Sequence, residues 1–438
     1  MIQKLLDKVK IEKSATKFFV NTGWLVFDKI FHMGLSLVIT AMLSRYLGVE
    51  RYGLLSYGLA FIEIFTIICK LGIDGIIVNE LIQNREKNGE ILGSTTLLRL
   101  VSSLLSLAMT YFFVKLLNPN ETIILAITMI QSISLVFVSL DTLDYYWQSK
   151  LESKYTAIAR STSYPIVCLL RVLLVYMKKD VTWFAWATVL DAGLIAMVMF
   201  YFYKKDHLPQ FKVSISMMKY LLRHSYHFIP VNLLVTIYTQ MDKLMVKGMS
   251  DSIQVGLYSA AMLIANLWIF IPNALIDSGR PVVMTMKAEE KEEQYVQRLR
   301  QLSIGVIWIS ILAGIFFTIF GRFIIYIING KEFLAALPVL LILIWSRLFS
   351  LIGAIRSIWM LCEGLEKYIK YFIALGAVIN VVLNTLLIPQ WGAVGAAVAT
   401  LVTEVISSFI VTGIFSNTRP YFKIIVDGFL FRKNRKQV

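Results

Sequence analysis

Polar and ionisable side chains recur inside long apolar stretches of this sequence. In the first stretch Asn21, Asp28 and His32 follow one another at spacings of seven and four. These spacings place the three side chains in one stripe along an α-helix, and Lys29 lies at the edge of that stripe. A carboxylate can hold a proton or a cation, and a lysine can bind an anion. The stripe therefore predicts either the lining of a polar passage or a hydrogen-bonded seam between helices.

A second polar stripe occurs near the middle of the chain, in NLLVTIYTQMDKLMVKG. Its members share one helical face at spacings of four, four and three: Asn232, Thr236, Gln240 and Lys243. Asp242 lies beside this face. Its carboxylate either takes up a proton or a sodium ion, or is held in a salt bridge, and the sequence leaves both alternatives open.

Three arginines lie deep in apolar stretches, namely Arg171, Arg347 and Arg356. Arg171 has no acidic residue within helical reach, so its partner is either an anionic substrate or a carboxylate of another helix, such as Glu404 or Asp191. The guanidinium fork fits phosphate oxygens well. Nine residues separate Arg347 from Arg356, which puts them on opposite helix faces, so at most one points into a central cavity.

The composition shows which solvent surrounds these groups. The 438 residues are 57% hydrophobic and 16% charged, and the mean hydropathy is +0.69, which excludes an ordinary water-soluble domain. A membrane-spanning helix needs roughly 20 mostly apolar residues. About twelve such stretches occur, near 19–46, 53–78, 91–117, 121–147, 155–177, 181–203, 217–248, 255–285, 299–328, 334–361, 367–388 and 391–415.

The loops between these stretches restrict both chemistry and orientation. They are too short for a soluble catalytic domain, and no phosphate-binding loop occurs, so we predict no enzymatic activity. The net charge of +15 is spread over short loops instead of forming one patch, which argues against nucleic-acid binding. The positive-inside rule then predicts two cytoplasmic termini, an even number of spans and a basic cytoplasmic tail.

An internal repeat suggests how the spans are grouped. RYGLLSYGLA (51–60) is echoed by QVGLYSAAML (254–263), a little over 200 residues later. The repeat predicts two similarly oriented six-helix bundles, residues 1–207 and 208–438, because six spans return the chain to its starting side. Parallel repeats of this kind enclose a central site in transporters.

Several other charged residues are predicted to be structural. Lys70 and Asp74 are four apart and are expected to pair within one helix. Arg99 is near a predicted cytoplasmic end and is expected to extend towards the headgroups. His224 and His227 have no third ligand nearby, so we predict no metal site.

The most distinctive stretch is NVVLNTLLIPQWGAVGAAVATLVTE, residues 380–404. Asn380 and Asn384 lie one helical turn apart, and small residues follow in rows that let two helix backbones approach closely. Most of the stretch is therefore predicted to hold a tight helical hairpin. Glu404 is not needed for such packing, which makes it a candidate for ion coupling.

The pattern N-x-x-L-N-x-x-L-I-P-x-x-G-x-x-G-A-A-x-A-T, residues 380–400, resembles the polysaccharide biosynthesis or O-antigen transporter family, the Wzx-type flippases. That family belongs to the multidrug/oligosaccharidyl-lipid/polysaccharide (MOP) exporter superfamily. Three more stretches are similar to it: SRYLGVERYGLLSYGLAF (44–61), LGIDGIIVNEL (71–81) and YTQMDKLMVKGMSDSIQVGLYSAA (238–261).

The resemblance implies an all-α, MATE-like membrane fold of about twelve helices in two six-helix bundles around a cationic central cavity. It also implies a cargo, an undecaprenyl-pyrophosphate-linked oligosaccharide repeat unit that passes from the inner to the outer leaflet. By position, Asp242 matches an acid that the family has in its seventh span, and Lys29 resembles a basic residue often found in the first span.

The sequence therefore predicts a flippase of the bacterial cytoplasmic (inner) membrane that works by alternating access and is coupled to H⁺ or Na⁺, without another cofactor. Expected partners are the lipid-linked glycan of O-antigen, lipopolysaccharide or capsule, membrane lipids, and the polysaccharide polymerase with its chain-length machinery. A multidrug or cation antiporter and a membrane polysaccharide polymerase remain as alternatives. The candidate substrate-binding residues are Arg171, Lys29, Arg347, Arg356, Asn21, His32, Asn232, Gln240 and Lys243, and the candidates for ion coupling are Asp242, Asp28 and Glu404.

Overall fold

The computed structural model describes the backbone of residues 2–205 and 209–429, and the side chains in those ranges except at 2–20, 22, 25 and 26. All regular structure in these ranges is helical. The basic tail predicted from Arg432 to Lys436 lies outside the described residues.

The described residues form α-helices joined by short turns. In chain order, α1 to α17 are Ile2–Lys70, Ile77–Gln83, Asn88–Leu117, Thr122–Ser132, Ser134–Phe137, Thr142–Ser149, Lys154–Tyr176, Val181–Lys205, Ile215–Ser225, Phe228–Met249, Ser252–Leu267, Phe270–Ala288, Glu292–Ile328, Leu337–Cys362, Ile369–Glu404, Val411–Ile414 and Arg419–Phe429. A π-helical turn, Val405–Ile410, connects α15 to α16.

Eight helical segments of the described chain are long and apolar enough to cross a membrane. Two of them, Phe27–Lys70 and Glu366–Ile414, each contain two predicted spans. They break at Gly48 (φ +71°) and Gly392 (φ +55°), conformations that only glycine adopts readily. The pair α11 and α12, bent by 44°, supplies the predicted span 255–285. With α10 added, the predicted all-α membrane architecture of about twelve spans is confirmed.

The predicted seventh span, 217–248, is wrong as a single helix. Two helices, α9 and α10, replace it, with a turn at Tyr226 and His227. Pro230 explains the break, because it lacks the N–H that would bond to the carbonyl of Tyr226, and proline is best tolerated in the first turn of a helix.

The chain forms two compact units. Unit 1 comprises residues 1–47 and 57–236, and unit 2 comprises residues 48–56 and 237–438. The segment 209–227, which precedes α10, belongs to unit 1 because it forms hydrogen bonds with other elements of that unit. The Lys212 N–H donates to the carbonyl of Gly89 at 2.9 Å, and the Ser225 hydroxyl donates to the carbonyl of Leu71 at 2.9 Å. The division at 207/208 into two six-helix bundles stays a prediction.

Arg99 does not extend towards the headgroups, as the sequence led us to expect. Its side chain is 0% exposed, forms an ion pair with Asp74 and lies over the ring of Tyr145, 5.2 Å from the centroid. Lys70 also contacts Asp74, at 3.4 Å. That pair is not intrahelical, because α1 ends at Lys70 and the chain turns at Gly72 (φ +65°). A buried ion pair thus ties the end of α1 to α3.

Unit 2 contains a close backbone contact between the two echoing glycines of the repeat. A Cβ atom on Gly256 would collide with the carbonyl oxygen of Val49, and one on Gly53 would collide with the carbonyl oxygen of Ser252. The second segment of α1 and α11 therefore pack backbone against backbone, as small residues permit.

Replacing Gly256 with alanine should destabilise the protein by about 1–3 kcal/mol, because the backbone of residue 49 must move to admit the methyl group. Thermal unfolding of the purified protein in detergent measures the effect. Gly248→Ala is the control, since nothing lies within 4 Å of its new methyl group. Equal melting temperatures for the two variants would contradict the close contact.

Candidate functional site

The first predicted polar stripe faces other helices of unit 1. The side-chain oxygen of Asn21 accepts a hydrogen bond from the Ser153 N–H at 2.7 Å. The ring of His32 packs on that of Tyr164, with centroids 3.9 Å apart. Asp28 is buried, whereas Lys29 is exposed. Asn21, Asp28 and His32 thus all contact other elements of unit 1, as their helical spacing requires, but only Asp28 is buried, and His32 is exposed.

Arg160, which the sequence analysis did not single out, joins two acids of unit 1. Its guanidinium lies 3.7 Å from Asp28 on α1 and 3.4 Å from Asp144 on α6. Asp144 also accepts a hydrogen bond from the Thr156 hydroxyl at 2.5 Å. One signal was available: Arg160 is eleven residues, or three helical turns, before Arg171, so both lie on one face of α7.

Arg171 lies within electrostatic range of Asp191 on α8 and of His32 on α1. Among the described residues, no carboxylate oxygen lies within the 4.0 Å of an ion pair, and its buried Nε atom has no hydrogen-bond partner. Of the two carboxylates that the sequence left open, Asp191 is the neighbour in unit 1. Glu404 belongs to unit 2.

The charges of this cluster are mixed. Two arginines, Arg160 and Arg171, lie among three aspartates, Asp28, Asp144 and Asp191. A purely cationic lining, which the resemblance implied, is therefore not what the described side chains of unit 1 present. Such a cluster can accept an anion when its carboxylates are neutralised or turn away.

The acid of the second stripe is the centre of a hydrogen-bond network in unit 2. Asp242 on α10 is 3% exposed and accepts hydrogen bonds from the hydroxyl of Tyr258, from Thr400 at 2.8 Å and from the Asn384 amide at 2.7 Å. The Asn384 amide also donates to Asn380 at 3.0 Å. Among the described residues no basic group pairs with Asp242, so the salt-bridge alternative is not what the structure shows.

Glu404, the last residue of α15, forms a second acidic centre, which contacts α10 one turn before Asp242. Its carboxylate accepts hydrogen bonds from Tyr238 at 3.0 Å and from Ser408 at 2.9 Å. The π-helical turn begins directly after it. Carboxylates surrounded by neutral donors, as in both centres, can bind a proton or a small cation.

The two arginines of α14 have different surroundings. Arg356 is 6% exposed, donates to the carbonyl of Ser407 at 2.7 Å and to Thr412 at 2.9 Å, and so supports the π-helical turn. Arg347 is half-buried and donates to the Asn266 side chain at 2.9 Å. Arg347 is the better placed of the two for a ligand, because a polar side chain and not a backbone carbonyl holds it.

The remaining residues of the second stripe lie along α10. The Lys243 ammonium donates a hydrogen bond to the side chain of Gln240, one helical turn earlier, at 2.9 Å. Asn232 is half-buried. The substrate and ion roles of all these residues stay predictions.

Two families match the sequence. The family described as polysaccharide biosynthesis protein matches residues 18–271, and the family described as MatE matches residues 228–386. A comparison with curated protein sequences gave no match.

Solved structures share the fold. The lipid II flippase MurJ in its inward closed conformation has a TM-score of 0.71 at 16% identity, over 94% of this chain and 91% of that one. An inward-facing multidrug resistance MATE transporter of the MOP superfamily has a TM-score of 0.70 at 13% identity, over 90% and 96%. A MOP superfamily transporter from Pyrococcus furiosus has a TM-score of 0.61 at 11% identity, over 93% and 96%. The predicted MATE-like fold is confirmed.

Proposed function

The chain belongs to the family of polysaccharide biosynthesis proteins, and from that premise we propose that it is a flippase for undecaprenyl-pyrophosphate-linked oligosaccharide repeat units. The cargo moves from the cytoplasmic to the outer leaflet of the bacterial cytoplasmic membrane by alternating access. It supplies O-antigen, capsule or a related surface polysaccharide, and the polysaccharide polymerase with its chain-length machinery receives it.

The proposed transport solves a solvation problem without covalent chemistry. A pyrophosphate and several sugars must cross roughly 30 Å of hydrocarbon, while the polyprenyl chain can stay in lipid. A polar path inside the helices lowers this barrier, since its donors and cations replace the water around the phosphates.

Arg171 carries the proposal. It is half-buried in unit 1 beside Asp191 and His32, yet no carboxylate of the described chain is within ion-pair distance, and its buried Nε lacks a partner. A cation kept in a membrane interior without a direct counter-ion is poised for an anionic cargo. Arg160 and Lys29 add positive charge in the same unit.

Ion coupling is the proposed source of energy. Asp242 and Glu404 are buried carboxylates whose contacts are neutral donors, and Asp28 is buried beside Arg160. Uptake and release of H⁺ or Na⁺ at one of them changes the charge that the helices around it must accommodate, and so can bias the two access states.

Replacing Arg171 with alanine should reduce surface glycan roughly tenfold or more, because one charge-assisted contact to the pyrophosphate is lost. Glycan display and membrane level of the protein are measured together in cells lacking the native gene. Arg322→Ala, at an exposed arginine of α13, is the matched control. Normal display from Arg171→Ala at an equal protein level would remove Arg171 from the proposed site.

The leaflet that holds the cargo separates flipping from polymerisation. In cells without the protein, we expect single lipid-linked repeat units to accumulate on the inner leaflet. A polysaccharide polymerase would instead leave them on the outer leaflet, so that finding would replace the proposal.

A cation antiporter is the second candidate, because the MatE family matches residues 228–386 and that range contains Asp242. Sensitivity of a deletion strain to cationic drugs tests it. If the deletion strain keeps its surface glycan, and returning the gene restores its resistance to these drugs, the antiporter is favoured over the flippase.

A further inference from the structure

An apolar groove opens on unit 2 where α15 begins. Only aromatic and aliphatic side chains line it: Tyr368, Tyr371, Phe372, Leu375, Val411 and Phe415. Its volume is about 310 Å³, which accommodates part of one hydrocarbon chain. Tyr371 is 60% exposed, whereas Phe372 is 6% exposed, so the first forms the rim and the second the floor.

The groove is preformed, because its floor and end wall are fixed from behind. The Arg356 guanidinium lies 4.0 Å from the centre of the Phe372 ring and is itself bonded to the carbonyl of Ser407. Phe415 follows the end of α16 with extended backbone (ψ 120°). Its ring meets those of Tyr368 and Phe372 edge-on, with centroids 5.5 and 6.1 Å away.

Positive charge surrounds one end of this groove. The ammonium of Lys367 lies 5.1 Å from the ring centre of Tyr368, and that of Lys370 lies 5.2 Å from the ring centre of Tyr371. Arg419 donates to the carbonyls of Gly413 and Ile414, next to Phe415. Glu366 precedes Lys367, so these four charged side chains have a net charge of +2.

The arrangement of charge and apolar surface matches one kind of molecule. The groove starts at its basic end, at Tyr368, and runs along the first turns of α15 to Leu375, over about 10 Å of helix. An anionic headgroup fits that end and a single apolar chain fits the groove. A phospholipid carries two acyl chains, of which the groove could hold only one, whereas a polyprenyl phosphate carries one methyl-branched chain.

We propose that this groove binds the proximal part of the chain of a polyprenyl phosphate lipid, with its phosphate at Lys367 and Lys370. The inference rests on the proposed function, because a polyprenyl-linked cargo is what brings such a chain to the protein. The groove then holds the lipid part of the cargo, whereas the residues discussed above act on its polar part.

Photolabelling of the full-length protein tests this site. The protein is placed in nanodiscs of zwitterionic lipid with undecaprenyl phosphate that carries a benzophenone near the head of its chain and no glycan. We expect the label on peptides that contain residues 368–375 or 411–415. Unlabelled undecaprenyl phosphate should compete at least tenfold better than phosphatidylglycerol. Labelling elsewhere, or equal competition by phosphatidylglycerol, overturns the proposal.

Leu375→Trp fills the groove and should lower labelling roughly tenfold. The control is Leu386→Trp, which adds the same side chain to an exposed position three turns further on the same face of α15. Equal labelling of the two variants overturns the proposal. If Leu375→Trp does not fold, the double variant Lys367→Gln and Lys370→Gln tests the phosphate end of the site. Its labelling should fall about tenfold, and unchanged labelling overturns the proposal.

The two proposals fail separately. The probe has no glycan and does not need to be moved, so a protein that is not a flippase can still be labelled in the groove. Conversely, a flippase whose labelling is unaffected by Leu375→Trp retains the proposed function and loses only the groove site.

Discussion

Asp242→Ala should prevent the protein from accumulating in folded form. The change removes the acceptor of three hydrogen bonds inside unit 2. The Tyr258 hydroxyl and one N–H of the Asn384 amide are then buried without an acceptor, whereas Thr400 can still donate to the carbonyl of Ala396. Each such donor costs about 1–3 kcal/mol, so we expect a loss of about 4 kcal/mol in unfolding free energy. That is a large part of the total stability of a typical domain. The monodisperse fraction after extraction into mild detergent measures it.

Asp242→Asn separates stability from ion coupling, because it keeps the shape and one acceptor oxygen but removes the charge. We expect this variant to reach the membrane and to lose glycan display. Asp277→Ala, at an exposed acid of α12, should leave both quantities unchanged. Full glycan display from Asp242→Asn would exclude Asp242 as the coupling residue and leave Glu404 and Asp28.

Arg99→Ala should destabilise unit 1 by about 3 kcal/mol, because it removes the buried partner of Asp74, which then keeps the partly exposed Lys70 as its counter-ion. Arg99 connects α3 to the end of α1 and packs on Tyr145 of α6, so the loss affects three elements at once. Thermal unfolding of the purified protein in detergent gives the difference. Arg85→Ala, at an exposed arginine before α3, is the control and should unfold like the unaltered protein.

A double-mutant cycle shows whether the pairing causes this effect. Arg99→Met alone and Asp74→Asn alone should each be destabilising. Together they should cost clearly less than the sum of the two, since neither charge is then left alone. Strict additivity would mean that Arg99 contributes through packing on Tyr145 and not through Asp74.

Most of the fold could be predicted from the sequence, because a run of roughly 20 apolar residues is a strong and local signal. The break between α9 and α10 was missed, since the surrounding residues are apolar enough to continue and only Pro230 marks the new helix start. The burial of Arg99 could not be predicted either. Its partner Asp74 is 25 residues away, in the turn after α1, and the two meet only through the way these elements pack.

The candidate site was predictable in its ionisable residues but not in its pairings. Asp28, Asp242 and Glu404 could be identified as candidates because the polar or small residues around each of them lie on the same helix, at helical spacing. Arg160 was missed, since its two acids lie on other helices. Which neutral donors meet an acid depends on how helices pack, and spacing within one helix carries no information about that.

The contact between Gly53 and Gly256 limits which genetic changes can repair one another. The nearest atoms that a new methyl group would strike are the carbonyl oxygens of Ser252 and Val49, and every amino acid has the same main chain. A smaller side chain elsewhere on the facing segment therefore creates no room. Second-site revertants of an alanine at either position would have to alter the path of a helix, so only reversion to glycine restores the original contact.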